Sequence, residues 1–138
     1  MRFMILVKAT QDTEAGFLPD GRRLKQMADY HEELAKAGVL LDAAGLEPSS
    51  AGWRVVYDGD KRRIVDGAFT EAKQLIAGYT LIQVKTREEA LEWTRRFPNP
   101  VGAGAAAEIE VRRLFELEDF EADPEAERFL ERNAGANP

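Results

Sequence analysis

Apolar and polar positions divide the chain into short blocks of two kinds. Phe3-Met4-Ile5-Leu6-Val7 is apolar at every position, the pattern of a strand buried on both faces, and predicts a central strand. After a polar loop with Gly16, Pro19 and Gly21, the residues Leu24, Met27, Ala28, His31, Leu34 and Ala35 recur at spacings of three and four. Gly38 follows as a stop, so this stretch predicts an amphipathic helix. Val39 to Leu46 reads as a second strand, and Trp53 to Val65 as a hairpin with Asp58-Gly59 at the turn position that favours positive φ. Asp66-Gly67 makes another turn, Thr70 to Ile76 a short helical segment, and Gly78 releases the chain into a strand from Tyr79 to Val84. Thr86 and Glu89 form a reciprocal capping pair for a second helix, with Ala90, Leu91, Trp93, Thr94 and Phe97 along one side. Arg95 and Arg96 suit its C-terminal dipole, and Pro98 and Pro100 end it. Glu108 to Phe115 alternates as a last strand.

In this order, strand-helix-strand occurs twice with the hairpin between the halves. The fold class expected is α+β: a ferredoxin-like βαββαβ antiparallel sheet with an inserted β-hairpin. Two helices cover one face of such a sheet, yet Phe3 to Val7 and Leu81, Ile82 and Val84 are apolar on both faces of their strands. A second copy of the sheet is the economical cover, so a homodimer packed face to face is expected, with a cleft between sheet, first helix and hairpin. Residues 116 to 133 are expected to form a helix that reaches over the partner, with Phe120, Phe129 and Leu130 to bury, and 134 to 138 to be loose.

Charge placement narrows the partners. The net charge is −6, but residues 1 to 113 hold 17 acidic and 17 basic side chains, whereas 114 to 138 hold eight acidic ones against Arg128 and Arg132. The body is neutral and the tail acidic, so no basic stripe is available for a nucleic-acid backbone or an anionic membrane. Phe3 to Val7 is too short for a signal segment or a membrane span, and the protein is expected to be cytoplasmic. With no cysteine, thiol nucleophiles and Cys-type metal sites are excluded, and one histidine leaves metal binding to carboxylates without a calcium-loop spacing. Ser49 and Ser50 are the serines and lack a nucleophile elbow, while Gly102-Ala103-Gly104 precedes no Lys-Ser/Thr and no helix that would cradle a phosphate. No metal and no cofactor are expected.

The stretch Asp66-Gly67-Ala68-Phe69-Thr70-Glu71-Ala72-Lys73, followed by Gly78-Tyr79, resembles the signature of the DGPF branch of YCII-related proteins. That signature usually reads Asp-Gly-Pro-Phe-x-Glu-x-Lys-Glu; here Ala68 replaces the proline and Gln74 the last glutamate. Gly45-Leu46, the Trp53 to Tyr57 strand, the helix with Glu89-Ala90 and Trp93 before Pro98, and Glu110-Val111-Arg112 also look like the family. The resemblance covers residues 1 to 115 and sets 116 to 138 apart as an acidic, partly helical tail. It implies a ferredoxin-like dimer of the dimeric α/β-barrel type. It implies no single reaction: many members are uncharacterised, some are similar to a chloromuconate dehydrochlorinase, and DGPF members often occur beside extracytoplasmic-function sigma factors. The family's enzymatic members use a histidine on the first helix and an aspartate before the proline that ends the second. Those places hold Met27 and Phe97 here, neither of which transfers a proton, so the general acid/base pair is replaced.

The candidate residues each carry two readings. His31, one helical turn beyond Met27, is either a hydrogen-bonded core or interface histidine or a general base oriented by Asp66 or Asp42. Asp66 is either a turn-capping carboxylate or, with His31, a catalytic one. Asp66, Glu71 and Lys73 flank one turn and are expected to converge on a small acidic or aromatic ligand, with Tyr30 and Tyr79 supplying hydroxyls at the cleft edge. The function expected is small-molecule binding by a dimer, with a cleft near the Asp66 turn and at most weak acid/base catalysis. The alternative is an interaction or regulatory module for sigma factors, engaging a protein partner through the acidic tail.

Overall fold

A computed structural model describes residues 1–120 and 123–135, with side chains through 131. Its centre is a four-stranded antiparallel sheet of β1 (Arg2–Lys8), β2 (Leu40–Gly45), β5 (Ile76–Gln83) and β6 (Ile109–Arg113), in the order β2-β5-β1-β6. Helices α2 (Gly21–Lys36) and α3 (Arg87–Arg95) complete the expected βαββαβ plan. Between β2 and β5 the chain makes the hairpin of β3 (Trp53–Asp58) and β4 (Lys61–Asp66), a separate two-stranded sheet. No helix among the described residues is long and apolar enough to cross a membrane.

Strand register decides what faces what. Phe3 pairs with Ile82, and Ile5 with Thr80 on one side and Val111 on the other, so these residues share the face that the helices cover. The core lies there: Phe3, Ile5, Ile82 and Val84 pack with Tyr30 and Leu34 of α2 and Ala90 of α3. The opposite face carries Met4, Leu6, Tyr79 and Leu81, with Leu81 buried and the other three half-buried. A bulge at Leu41 resets the alternation of β2: Leu40 stays opposite Ile82 on the helix face, whereas Asp42 joins Leu81 and Tyr79 on the other.

Several boundaries differ from expectation. The loop after β1 contains a short helix, α1 (Gln11–Glu14), capped by the Thr10 and Thr13 side chains in place of the Thr-x-x-Glu pattern. Thr70 to Ile76 is not a helix; Ala72–Gln74 makes one 3-10 turn and β5 begins at Ile76. Gly78 lies inside that strand, where an added Cβ would press on the Ala44 carbonyl. The hairpin loop is Gly59-Asp60, one residue later than expected, with Gly59 at φ 61. At α3 the Glu89 amide donates to Thr86, but the Glu89 carboxylate accepts from the Lys85 amide, so the capping is not reciprocal. The tail is a 3-10 turn at Leu117–Asp119 followed by α4 (Pro124–Gly135), not one helix from 116. Helix α4 includes 134 and 135, and the expectation of looseness at 136–138 lies outside the described residues. Phe120 packs on Phe115 at 5.3 Å between ring centroids, and Leu130 is half-buried, whereas Phe129 is exposed.

Candidate functional site

Amphipathic α2 turns His31 toward the sheet, and both of its nitrogens are engaged. Nδ1 lies 2.7 Å from the Met27 carbonyl, which can only accept, so Nδ1 carries a proton. In the neutral ring Nε2 then accepts from the Thr80 hydroxyl at 2.7 Å. Thr80 is buried, so this hydroxyl would be costly to leave unpaired. Phe97 stands edge-on to the imidazole at 6.3 Å and to Tyr30 at 5.2 Å, so its ring packs against both. The Tyr30 hydroxyl donates to the Trp93 carbonyl at 2.7 Å, and burial pushes its pKa up to about 12. Tyr30 is thus a core residue with its proton committed to the α3 backbone.

Asp42 is not within reach of His31. Adjacent strand residues point to opposite faces: Thr80 meets His31 on one, and Tyr79 donates to Asp42 at 2.8 Å on the other. That hydrogen bond raises the Tyr79 pKa. Asp66 ends β4 opposite Trp53, and Asp66, Glu71 and Lys73 are all exposed. None of the three makes a side-chain hydrogen bond or ion pair among the described residues, and the hydrogen-bond partners of His31 are Met27 and Thr80.

The signature turn is instead tied inward through its glycine and phenylalanine. A Cβ at Gly67 would overlap the Ser49 carbonyl oxygen, so no larger residue fits at this crossing. The Phe69 amide donates to Ser49 Oγ at 2.9 Å, and that hydroxyl donates to Glu14 Oε2 at 2.7 Å. The Ser49 amide also donates to the Glu14 carboxylate. Glu14 belongs to α1, so the chain Phe69-Ser49-Glu14 links the signature turn to this short helix. The Arg54 guanidinium covers the Phe69 ring at 3.7 Å.

The other side of α1 forms the wall of a cavity of about 380 Å³ at the C-terminal end of β1. Val7, Phe17, Leu18, Pro19, Pro100 and Val101 give it an apolar body, and Lys8, Arg23, Thr10, Gln11, Thr13 and Asp12 supply polar groups. Arg23 anchors the far wall by donating to the Val101 carbonyl at 2.9 Å. Lys8 is held by Glu110 at 3.1 Å, and Lys8 and Arg112 together lower the Glu110 pKa. Sequence reasoning missed this cavity, since its cations lie far apart in the chain and α1 is too short to show periodicity. A second cavity, about 360 Å³, lies between α2 and the segment after α3, where Tyr30 is one of its lining residues with Asp29, Glu33 and Arg96. His31, Asp66, Glu71, Lys73 and Tyr79 line neither. Among the described residues no group of three or more His, Asp or Glu side chains is placed to hold a metal ion.

Comparison with known proteins places residues 1–115 on the model of the YCII-related domain. An uncharacterised protein of Rhizobium meliloti (strain 1021) is 25% identical over 96 residues, which are 70% of this chain and 77% of that protein. Among solved structures, 5-chloro-2-hydroxyhydroquinone dehydrochlorinase from Burkholderia phenoliruptrix AC1100, in complex with 2,5-dihydroxybenzoquinone, superposes with a TM-score of 0.43 at 12% identity. The match covers 88% of this chain and 100% of that one.

Proposed function

The chain belongs to the YCII-related domain family, and from that premise we propose that it is a cytoplasmic homodimer that binds a small anionic molecule with an apolar or aromatic body. The observation that carries this reading is the cavity at the end of β1. Its volume is in the range of small-molecule sites, and it sets Lys8 and Arg23, with the Asp12 carboxylate beside them, against an apolar wall, while the Thr10 and Thr13 hydroxyls stay bonded in the α1 cap. A ligand carboxylate would compete with Glu110 for the Lys8 ammonium, while Phe17, Leu18 and Pro100 cover its apolar part. Binding is favoured over proton transfer because both nitrogens of His31 and the hydroxyl of Tyr30 are already paired. The dimer is proposed from the face of the sheet that the helices leave uncovered, where Met4, Leu6, Tyr79 and Leu81 form an apolar strip.

A second reading keeps the ligand at Asp66, Glu71 and Lys73. What favours it is their exposure without local amide partners, as a polar rim completed by a second subunit would require. A thermal-shift panel of benzoate, hydroxybenzoates, succinate and adenosine monophosphate separates the two. A ligand at a hundred times its dissociation constant adds about 2.7 kcal/mol of native stability. The cavity reading expects a shift that Lys8→Met abolishes and Lys73→Met and Asp66→Asn preserve. The reverse pattern supports the rim, and no shift with any compound removes the binding reading.

A further inference from the structure

The cavity at the end of β1 holds both signs of charge, and its groups differ in how far the fold already uses them. Arg23 gives Nη1 to the Pro100 and Val101 carbonyls and lies 3.8 Å from the Asp20 carboxylate. The Lys8 ammonium donates to Glu110 at 3.1 Å, and its other hydrogens have no partner among the described residues. Asp12 is different: it lines the cavity, and its side chain makes no hydrogen bond or ion pair among the described residues. It stands in the first turn of α1, but a helix of four residues aligns few peptide dipoles to hold a carboxylate.

The charges in and around the cavity balance by themselves. Lys8, Arg23 and Arg112 stand against Asp12, Asp20 and Glu110, with Glu110 shared between Lys8 and Arg112. An acid with no other charge upsets that balance and brings its carboxylate near the unpartnered one of Asp12. A molecule of zero net charge keeps the balance, provided that its carboxylate meets Lys8 and a cationic group meets Asp12. Phe17 and Leu18 line the same cavity yet are 67% and 86% exposed, so an apolar or aromatic body seated there would cover them.

We infer that the ligand of this cavity is an amino acid with an apolar or aromatic side chain: Lys8 takes its carboxylate, Asp12 its ammonium, and Phe17 and Leu18 cover its side chain. The inference rests on the reading above that a carboxylate binds in this cavity, and adds the second charged group. Asp12 is thereby the residue that sets specificity, since Lys8 serves any carboxylate, whereas Asp12 gains a charge partner only from one that also bears an amine.

Three compounds of one shape make the test. 3-Phenylpropanoate, L-3-phenyllactate and L-phenylalanine differ in carrying hydrogen, hydroxyl or ammonium on the carbon beside the carboxylate. Titration calorimetry at pH 7 compares them on the wild type, Asp12→Asn and Lys8→Met. Phenylalanine is expected to bind tightest, by about fivefold over 3-phenylpropanoate, the scale of one partly solvated ion pair. Asp12→Asn is expected to abolish this preference without weakening 3-phenylpropanoate, and Lys8→Met to weaken all three. Asp12 is exposed and is not the cap of α1, so its substitution leaves the fold intact. Equal binding of phenylalanine and 3-phenylpropanoate, or a preference that survives in Asp12→Asn, overturns the inference while Lys8-dependent binding leaves the cavity reading standing. Phenyllactate binding tightest overturns the ammonium assignment in favour of a hydroxy acid. Failure of all three overturns the inference, and failure of benzoate and succinate as well overturns the cavity reading with it.

Discussion

The hydroxyl of Ser49 donates to the Glu14 carboxylate at 2.7 Å, and the same oxygen accepts the amide of Phe69 at 2.9 Å. One side chain thereby joins the signature turn, the 3-10 turn at Ser49–Ala51 and α1, whose opposite side walls the cavity at the end of β1. Ser49→Ala removes both bonds and leaves the Glu14 carboxylate with the Ser49 amide alone. The variant is expected to lose about 2 kcal/mol, the scale of a half-buried hydrogen bond to a charged group. Gly67→Ala is expected to cost more, since its Cβ meets backbone and not a movable side chain. Urea unfolding of the two variants checks the order; Gly67→Ala as stable as wild type would contradict the crossing described here.

His31 and Thr80 form a second pair with a measurable coupling. Thr80→Val strands the imidazole Nε2, and His31→Leu strands the buried Thr80 hydroxyl, so each single change is expected to cost about 1–3 kcal/mol. The double variant replaces both partners by apolar groups and is expected to cost clearly less than the sum. A double-mutant cycle from denaturation measures it, and additive costs would show that the two side chains do not depend on each other.

Alkaline pH tests Tyr30. Its native pKa near 12 lies above the ordinary tyrosine value of about 10, so between these values the unfolded chain loses a proton that the folded chain keeps. Stability is therefore fully present below pH 10 and declines as the pH rises toward 12. Tyr30→Phe is expected to cost about 1 kcal/mol at neutral pH, from the lost bond to the Trp93 carbonyl, and to flatten the alkaline decline. Unfolding midpoints from pH 8 to 11 distinguish this from a decline that the variant shares.

Acid pH tests the tie between tail and sheet. Two hydrogen bonds from Arg2, at 3.0 and 3.1 Å, hold the Glu116 carboxyl below the usual glutamate range. A depressed native pKa gives stability that is present above the unfolded value, about 4.3, and lost as the pH falls through the native one. The pair is partly solvated, so its contribution is expected to be about 1 kcal/mol or less. Glu116→Gln should be slightly less stable than wild type at pH 7, and the difference should vanish in acid. A difference that grows on acidification would contradict the assignment.

What could be read from the chain alone follows from how local each signal is. The all-apolar run Phe3–Val7, the spacing from Leu24 to Ala35 and Thr86 at the head of α3 are decided within a few residues, and each element appears where its pattern lies. The four residues of α1 carry no period, and its box uses Thr13 in place of a glutamate. Gly78 reads in the sequence as the point that releases the chain into a strand, but it lies inside β5, where the close approach of the Ala44 carbonyl explains its lack of a side chain. The bulge at Leu41, which turns Asp42 away from His31, leaves no trace in hydrophobic alternation. The cavity brings residues 7–23 beside 100–101, and the signature residues Gly67 and Phe69 meet Ser49 through backbone atoms, whose partners side-chain identity does not disclose.

The binding site of a small anion separates the cavity at the end of β1 from the Asp66 turn. Amide chemical shifts of the full chain, titrated with the benzoate or dicarboxylate that gives the largest thermal shift, locate the site directly. The predicted result is perturbation concentrated at Val7, Lys8, Thr10 to Thr13 and Val101, abolished by Lys8→Met. Perturbation centred on Asp66 to Lys73, or none at saturating ligand, would contradict it.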